Sequence, residues 1–409
     1  MPESLTLTSL TQAVNSAAAI RLRRRLQPAG GAGDKVFPAT YEGGEYAKED
    51  RVVDGVRVPC FLLDSVQSQA NRMELALLAA HRAGNITIPV VGVDFAGQGL
   101  PEVGVVTSLE APHRLADAIL RDSLLDGVKF RDSPPGKSLN TASTANATEL
   151  FGLCPTALVF GVWDSTGPRG GLGVKFQRAL VGELVAVDAA SGVKPASRLD
   201  PLGIQLAAGP LYATKDGGWT LDEKAAALDK GKPIKLGKEG KPSEANHGNV
   251  TPSLKNEKGQ LHHGGVTMAY AQHAVVLSLP ALRRLFFPVA GKGSADAAAR
   301  TVLAALGLCG AILAVEQGAD LRSRCLLVPD IAHPATWEII NADGSITAVT
   351  LTGEQAAKLL NDAVAAAKAA GLPWTATAKA NGLTLTPSPG LAALVKKSRD
   401  LAMHAPGEG

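Results

Sequence analysis

Aromatic side chains are scarce in this sequence of 409 residues: nine Phe, four Trp and four Tyr, 4% of the chain. A protein that reads single-stranded nucleic acid by stacking its bases needs exposed rings, so an aromatic recognition surface is not the expectation. Cysteine is rarer still. Cys60, Cys154, Cys309 and Cys325 form no C-x-x-C pair and sit in apolar surroundings, which predicts buried free thiols in a reducing cytosol. The net charge is only +3, so any nucleic-acid surface must be local. The longest apolar run, Val302 to Val315, is fourteen residues between Arg300 and Glu316, too short for a bilayer and expected as a core helix. No basic segment precedes an apolar one near the start, so no secretory signal is expected.

Several chemistries are missing as well. Gly136-Lys137-Ser138 ends like a Walker A loop, but Arg131 stands where its first glycine belongs and Pro134-Pro135 stiffen the approach. No G-x-S-x-G occurs. His247, His262, His263 and His273 match no zinc spacing, and adjacent histidines on a strand point to opposite faces. No metal or cofactor is expected.

What is present begins with D-S-V-Q-S-Q-A-N-R-M-E, Asp64 to Glu74. Asp64 or Ser65 suits a helix N-cap after the apolar run Val58–Leu63, and Val66, Ala70, Met73 and Leu77 make a buried stripe. Ser65, Ser68, Gln69 and Arg72 line one flank of that stripe; Gln67, Asn71 and Glu74 line the other. Hydroxyls, amides and one guanidinium suit a sugar-phosphate chain, and they equally suit tying down neighbouring loops.

Elsewhere, Ile20, Leu22 and Leu26 alternate with Arg21, Arg23 and Arg25, with Arg24 breaking the pattern. A strand with an arginine face tracks phosphate; a solvated edge or a helix end reads the same residues otherwise. Asp54-Gly55 predicts a hairpin and a helix is predicted over 64–83. Further strands are predicted over 86–93, 157–162, 266–279 and 321–328. Helices are predicted over 8–18, from Pro112 to near Gly127, and over 282–287, 294–316, 353–370 and 391–402. The mixture is α+β, without regular alternation.

Asp164 to Gly173, D-S-T-G-P-R-G-G-L-G, bares backbone N–H groups that could approach a phosphate, or is simply a flexible turn. From Lys224 to Lys258, eight lysines stand against four acidic residues in a Gly- and Pro-broken window, expected as a long mobile insertion.

Further segments accompany Asp64–Glu74 in order: L-Q-P-A-G-G-A-G-D-K-V-F-P-A-T-Y (26–41), S-L-E-A-P-H-R-L-A-D-A-I-L-R-D-S (108–123), H-G-N-V-T-P-S (247–253), G-G-V-T-M-A-Y (264–270) and A-L-R-R-L (281–285). Together they resemble the backbone RAMP subunit of the CRISPR type I-U (I-G) effector complex. The resemblance implies a ferredoxin-like, RRM-type core sheet with helices on one face and long insertions. It implies one elaborated domain over 1–409, a thumb or finger over 224–262 and a C-terminal helical elaboration over 345–409. It also implies a non-catalytic, cytoplasmic protein without membrane contact. The resemblance further implies that many copies grip one guide RNA in a helical filament and present it to target DNA, beside a large subunit and a guide-end-capping or processing subunit.

The glycine-rich loop and the insertion are similar to RNA-binding parts of RAMP proteins. The candidate RNA contacts are Arg21, Arg23, Arg25, Ser65, Ser68, Gln69, Asn71, Arg72, Arg169, Gly170, Gly171, Gly173, Lys175, Lys232, Lys235, Lys238, His247 and Asn249. An RNA-cleaving role remains the alternative, with Asp164 or Asp132 as the acidic residue, although no paired carboxylates support it. A self-assembling scaffold unrelated to nucleic acid is a third.

Overall fold

Period-two burial builds the central sheet of the computed structural model, which describes residues 2–166, 174–255, 259–290, 293–375 and 382–404. Strand β1 (Ala19–Pro28) alternates without a break. Arg24 falls on its buried side with Ile20, Leu22 and Leu26, so the expected break in the arginine row is absent. Strands β2 (Lys48–Val53) and β3 (Val56–Asp64) form the hairpin expected at Asp54-Gly55, where both turn residues have positive φ. Two short strands, β4 (Val162–Trp163) and β5 (Lys175–Phe176), pair with each other. The longest strands are β6 (Leu180–Val193) and β7 (His263–Ser278), and β8 (Thr336–Ile340) with β9 (Ile346–Thr350) complete the set.

The order across the sheet is β9-β8-β1-β7-β6-β3-β2, antiparallel throughout, with Glu3–Ser4 added in parallel beside β9. Four helices pack together at this core: α1 (Leu7–Ser16), α2 (Val66–Arg82), α3 (Asp296–Glu316) and α4 (Gly353–Ala369). By length and composition alone α3 could cross a membrane; here it lies mostly buried against the other three. Its glycines are what let neighbours come close: a Cβ on Gly310 would stand 3.1 Å from Leu77 Cδ1 and 3.3 Å from the Met73 carbonyl.

A second, five-stranded sheet is assembled mainly from the segment between α2 and β6, and Leu383–Pro387 from the far end of the chain lies at its centre. The stretch 345–409, expected as helical, therefore gives one strand to each sheet besides α4 and the helix Pro389–His404.

Other expectations also differ. Residues 155–160 are helix, not strand, because Pro155 opens the first turn of a segment buried on every side. The helix expected from Pro112 breaks into Arg114–Ala116 and Ala118–Arg121, since Arg114 adopts positive φ and Asp117 caps a new turn. Of 86–93 only the last three residues are strand, within Val91–Asp94. Residues 321–328 turn at Arg324 between Ala319–Asp320 and Leu326–Pro329.

The lysine-rich window lies within residues 194–262 between β6 and β7, and the described residues of that segment fold into small hairpins and turns. Two carboxylates organise them. Glu244 accepts from the backbone N–H groups of Lys238, Glu239 and Lys241, and Asp200 from those of Leu202, Ile204 and Gly248. Where the strands return, a Cβ on Gly264 would meet the Val193 carbonyl carbon at 2.1 Å. Gly265 has positive φ and donates its N–H to Tyr46 Oη at 3.0 Å.

Replacing Gly310 by Val forces two helices apart, so Gly310→Val lowers the free energy of unfolding by about 1–3 kcal/mol. Urea denaturation measures the loss; an unchanged midpoint removes the close-packing role.

Candidate nucleic-acid interface

Asp64 ends β3, and Ser65 behind it caps α2 by accepting the Ser68 N–H at 3.2 Å. The Asp64 side chain is 1% exposed and accepts from Gln69 Nε2 (2.6 Å), Arg72 Nε (3.0 Å) and Arg322 Nη2 (3.3 Å). Arg72 also donates to the Leu321 carbonyl at 2.8 Å. The Gln69 oxygen meets His273 Nε2 at 2.9 Å, and Arg24 Nε donates to His273 Nδ1 at 2.9 Å. Arginine can only donate, so His273 is neutral with its proton on Nε2. Burial first, and then the Arg24 charge, lowers the His273 pKa to about 3. Burial lowers Arg24 to about 10, which leaves it charged at neutral pH.

Two expected RNA contacts are thereby engaged within the protein. Gln69 is buried with both ends of its amide engaged, and Arg72 is held by Asp64 and Leu321, so both tie the protein to itself. Ser65 is spent on the cap and Ser68 is half-buried; Asn71 is exposed. On the other flank Glu74 receives Arg114 at 2.7 and 2.6 Å, and Arg114 reaches on to the Gly161 carbonyl at 2.9 Å. Burial raises the Glu74 carboxyl to about 7, with Arg114 pulling against it.

The side of β1 away from the helices presents the arginine row. Arg21 is paired with Glu338 at 2.5 Å. Arg25 lies 4.0 Å over the Tyr270 ring and 3.4 Å from His333 Nε2. Arg23 is exposed between them and, with Arg51, Glu183, Tyr270 and Gln272, lines a cleft of about 300 Å3. Two cations of the three thus remain for an anion.

A second basic cleft opens beside α2. Lys175 is opposite Trp163 in the β4–β5 pair, so the two side chains share a face, and Nζ stands 5.6 Å from the ring centroid. Val162 and Phe176 are buried behind them while Trp163 is 55% exposed. Gln67, His113 and Arg178, all exposed, complete a cleft of about 300 Å3. No carboxylate is among the residues lining it; of those next to the lining, Glu74 is engaged by Arg114, buried Asp164 by both terminal nitrogens of Arg131, and buried Asp117 by the His113 and Ile119 N–H groups.

The remaining candidates are scattered. Lys232, Lys235 and Lys238 are exposed on the insertion. There His247 packs edge-on against Trp219, and Asn249 Oδ1 accepts the Asp200 N–H at 2.7 Å. Arg169, Gly170, Gly171 and Gly173 lie outside the described residues. Among the described residues no group of three His, Cys, Asp or Glu side chains could hold a metal. Trp163 and Arg178 were not among the candidates, and Gln67 was named on a flank of α2 without being counted as a contact. The signal available was V-W before the glycine-rich loop and K-F after it, two apolar residues that face inward while Trp and Lys face outward.

Residues 20–191 match the family model described as CRISPR-associated protein GSU0053 (Cas_GSU0053). No curated protein matches the chain. Among solved structures, that of Thermofilum pendens Csc2 is similar at 11% identity, covering 98% of this chain and 94% of that one with a TM-score of 0.27. That degree of superposition fixes neither fold nor function.

Two outcomes follow from the buried network. Arg72→Ala strips Asp64 of one partner and lowers unfolding free energy by about 1–2 kcal/mol, with affinity for single-stranded RNA unchanged. A loss of RNA affinity at unchanged stability would return Arg72 to the binding surface. The neutral His273 ring contributes stability that is complete above the ordinary histidine pKa of 6.5 and fades as pH falls toward about 3, because the unfolded chain takes up the proton first. The stability gap between the wild type and His273→Gln therefore narrows between about pH 7.5 and about pH 5 in urea titrations. A gap that widens on acidification contradicts the neutral tautomer.

Proposed function

We propose that this chain, whose segment 20–191 matches a CRISPR-associated family, is the guide-RNA-binding backbone subunit of a type I-G effector complex. The family match is the observation on which this reading rests, since its span contains the arginines of β1, the whole of α2 and the Trp163–Lys175 cleft. In this reading the fold is a ferredoxin-like RAMP core. The strand order β8-β1-β7-β6 supports it, with α2 entering between β1 and β6 in the chain and α3 between β7 and β8. Copies of the chain line one guide RNA in the cytoplasm, hold its backbone through local basic patches, and leave sequence discrimination to pairing with target DNA. A large subunit and a guide-end subunit complete the assembly.

The protein does no chemistry on the strand. Of the two carboxylates named for RNA cleavage, Asp164 is buried and bound by Arg131, which favours the non-catalytic role, while Asp132 is exposed. Arg23 and Arg25 act as phosphate contacts on the open side of β1.

Purified protein co-isolates with short RNA of uniform length that resists nuclease. Arg23→Glu with Arg25→Glu lowers affinity at least about tenfold, and each lost phosphate contact flattens the salt slope by about 0.7. Absence of protected RNA defeats the binding role. Regular cuts in complementary RNA with magnesium defeat the non-catalytic one.

A further inference from the structure

In a chain with so few rings, the position of each exposed tryptophan is informative. Trp337 and Trp374 are buried, and Trp219 sits on the insertion with His247 edge-on at 5.8 Å. Trp163 alone among the described tryptophans stands in a basic cleft. Its strand neighbours Val162 and Phe176 are buried on the opposite face, so the hairpin turns the Trp163 side chain outward. Lys175 Nζ is 5.6 Å from the centroid, near the outer limit of about 6 Å for a cation–π contact, so an incoming flat group displaces it at little cost. Arg178 and His113 are exposed on the same cleft, its lining holds no carboxylate, and Asp164 and Glu74 nearby are paired with Arg131 and Arg114.

A flat, half-exposed ring with cations around it and no carboxylate in the cleft's lining fits a nucleobase carried on a phosphate chain better than it fits a protein surface. We infer that Trp163 is a stacking platform for one base of a single-stranded RNA, with Lys175 and Arg178 on the phosphates flanking that base. A cleft of about 300 Å3 is at the small end for ligand pockets, in keeping with one nucleotide rather than a duplex. This inference rests on the RNA-binding reading and adds to it a contact that is not made to backbone.

The test uses the full-length protein and a fluorescent single-stranded oligoadenylate RNA. Trp163→Ala weakens binding about fivefold to 100-fold, the range for loss of one stacked base, while Trp163→Phe retains most of the affinity. In a Trp219→Phe background, RNA quenches tryptophan emission, and adding Trp163→Ala abolishes the quenching. Thermal melting of each variant verifies the fold, since the replaced ring is not part of the core. Wild-type binding that survives unchanged in Trp163→Ala, with quenching intact, overturns the platform but leaves the RNA-binding reading standing. Failure of the wild type to bind any RNA overturns both. Unchanged RNA affinity combined with lost self-association in Trp163→Ala assigns the ring to a protein contact instead and also overturns the platform.

Discussion

One buried carboxylate at the end of β3 ties the central sheet to α2. Asp64 receives α2 through Gln69 and Arg72, and the turn before Leu326–Pro329 through Arg322. Through Gln69 and His273 it is also linked to β1 and β7. Burying such a charge is unfavourable unless it is well partnered, and here both oxygens accept, Oδ2 from Gln69 and Arg72 and Oδ1 from Arg322. The chain of bonds runs one way, from Arg24 to His273 to Gln69 to Asp64. A member replaced by a group of reversed polarity would leave two acceptors or two donors facing each other. The network therefore fixes register as well as supplying energy: β1, β3, β7 and α2 meet in only one alignment.

That arrangement changes how the stretch Asp64–Glu74 is understood. Its amides and guanidinium are the residue types that grip a sugar-phosphate chain, and they are also the types that can satisfy a buried carboxylate. Burial decides between the two, and burial depends on what packs over α2 from Leu321 and β7, far away in sequence. Only Gln67 and Asn71 of the stretch stay fully exposed, and Gln67 faces the second cleft.

Where local signals suffice, the sequence was legible. The Asp54-Gly55 hairpin, the Ser65 cap, the apolar α3 and the alternation of β1 are all local and all present. The alternation was even stricter than it read, because Arg24 belongs to the buried set once His273 is known to face it. β6 was passed over because Gly182 and three alanines dilute its pattern, and Val185 to Val187 are buried on both faces, leaving no alternation to detect. Residues 157–162 read as strand because a short apolar run has no period of its own. Trp163 was missed for a different reason: a single exposed ring gains meaning only from the lysine across the hairpin and the helix beside it.

The insertion at the far end of β6 and β7 has a further consequence. These two strands are paired over almost their whole length, so the tip is mounted on a stiff double-stranded stem whose root is fixed by Gly264 and Gly265. The entropy of closing a loop grows only with the logarithm of its length, so residues can be added to or lost from the tip with little effect on the core. The stem tolerates no such freedom, since a slip of one residue would turn His273 away from Arg24 and Gln69. The molecule thus separates a part whose size can drift from a part whose alignment cannot, and the boundary between them falls at a pair of glycines.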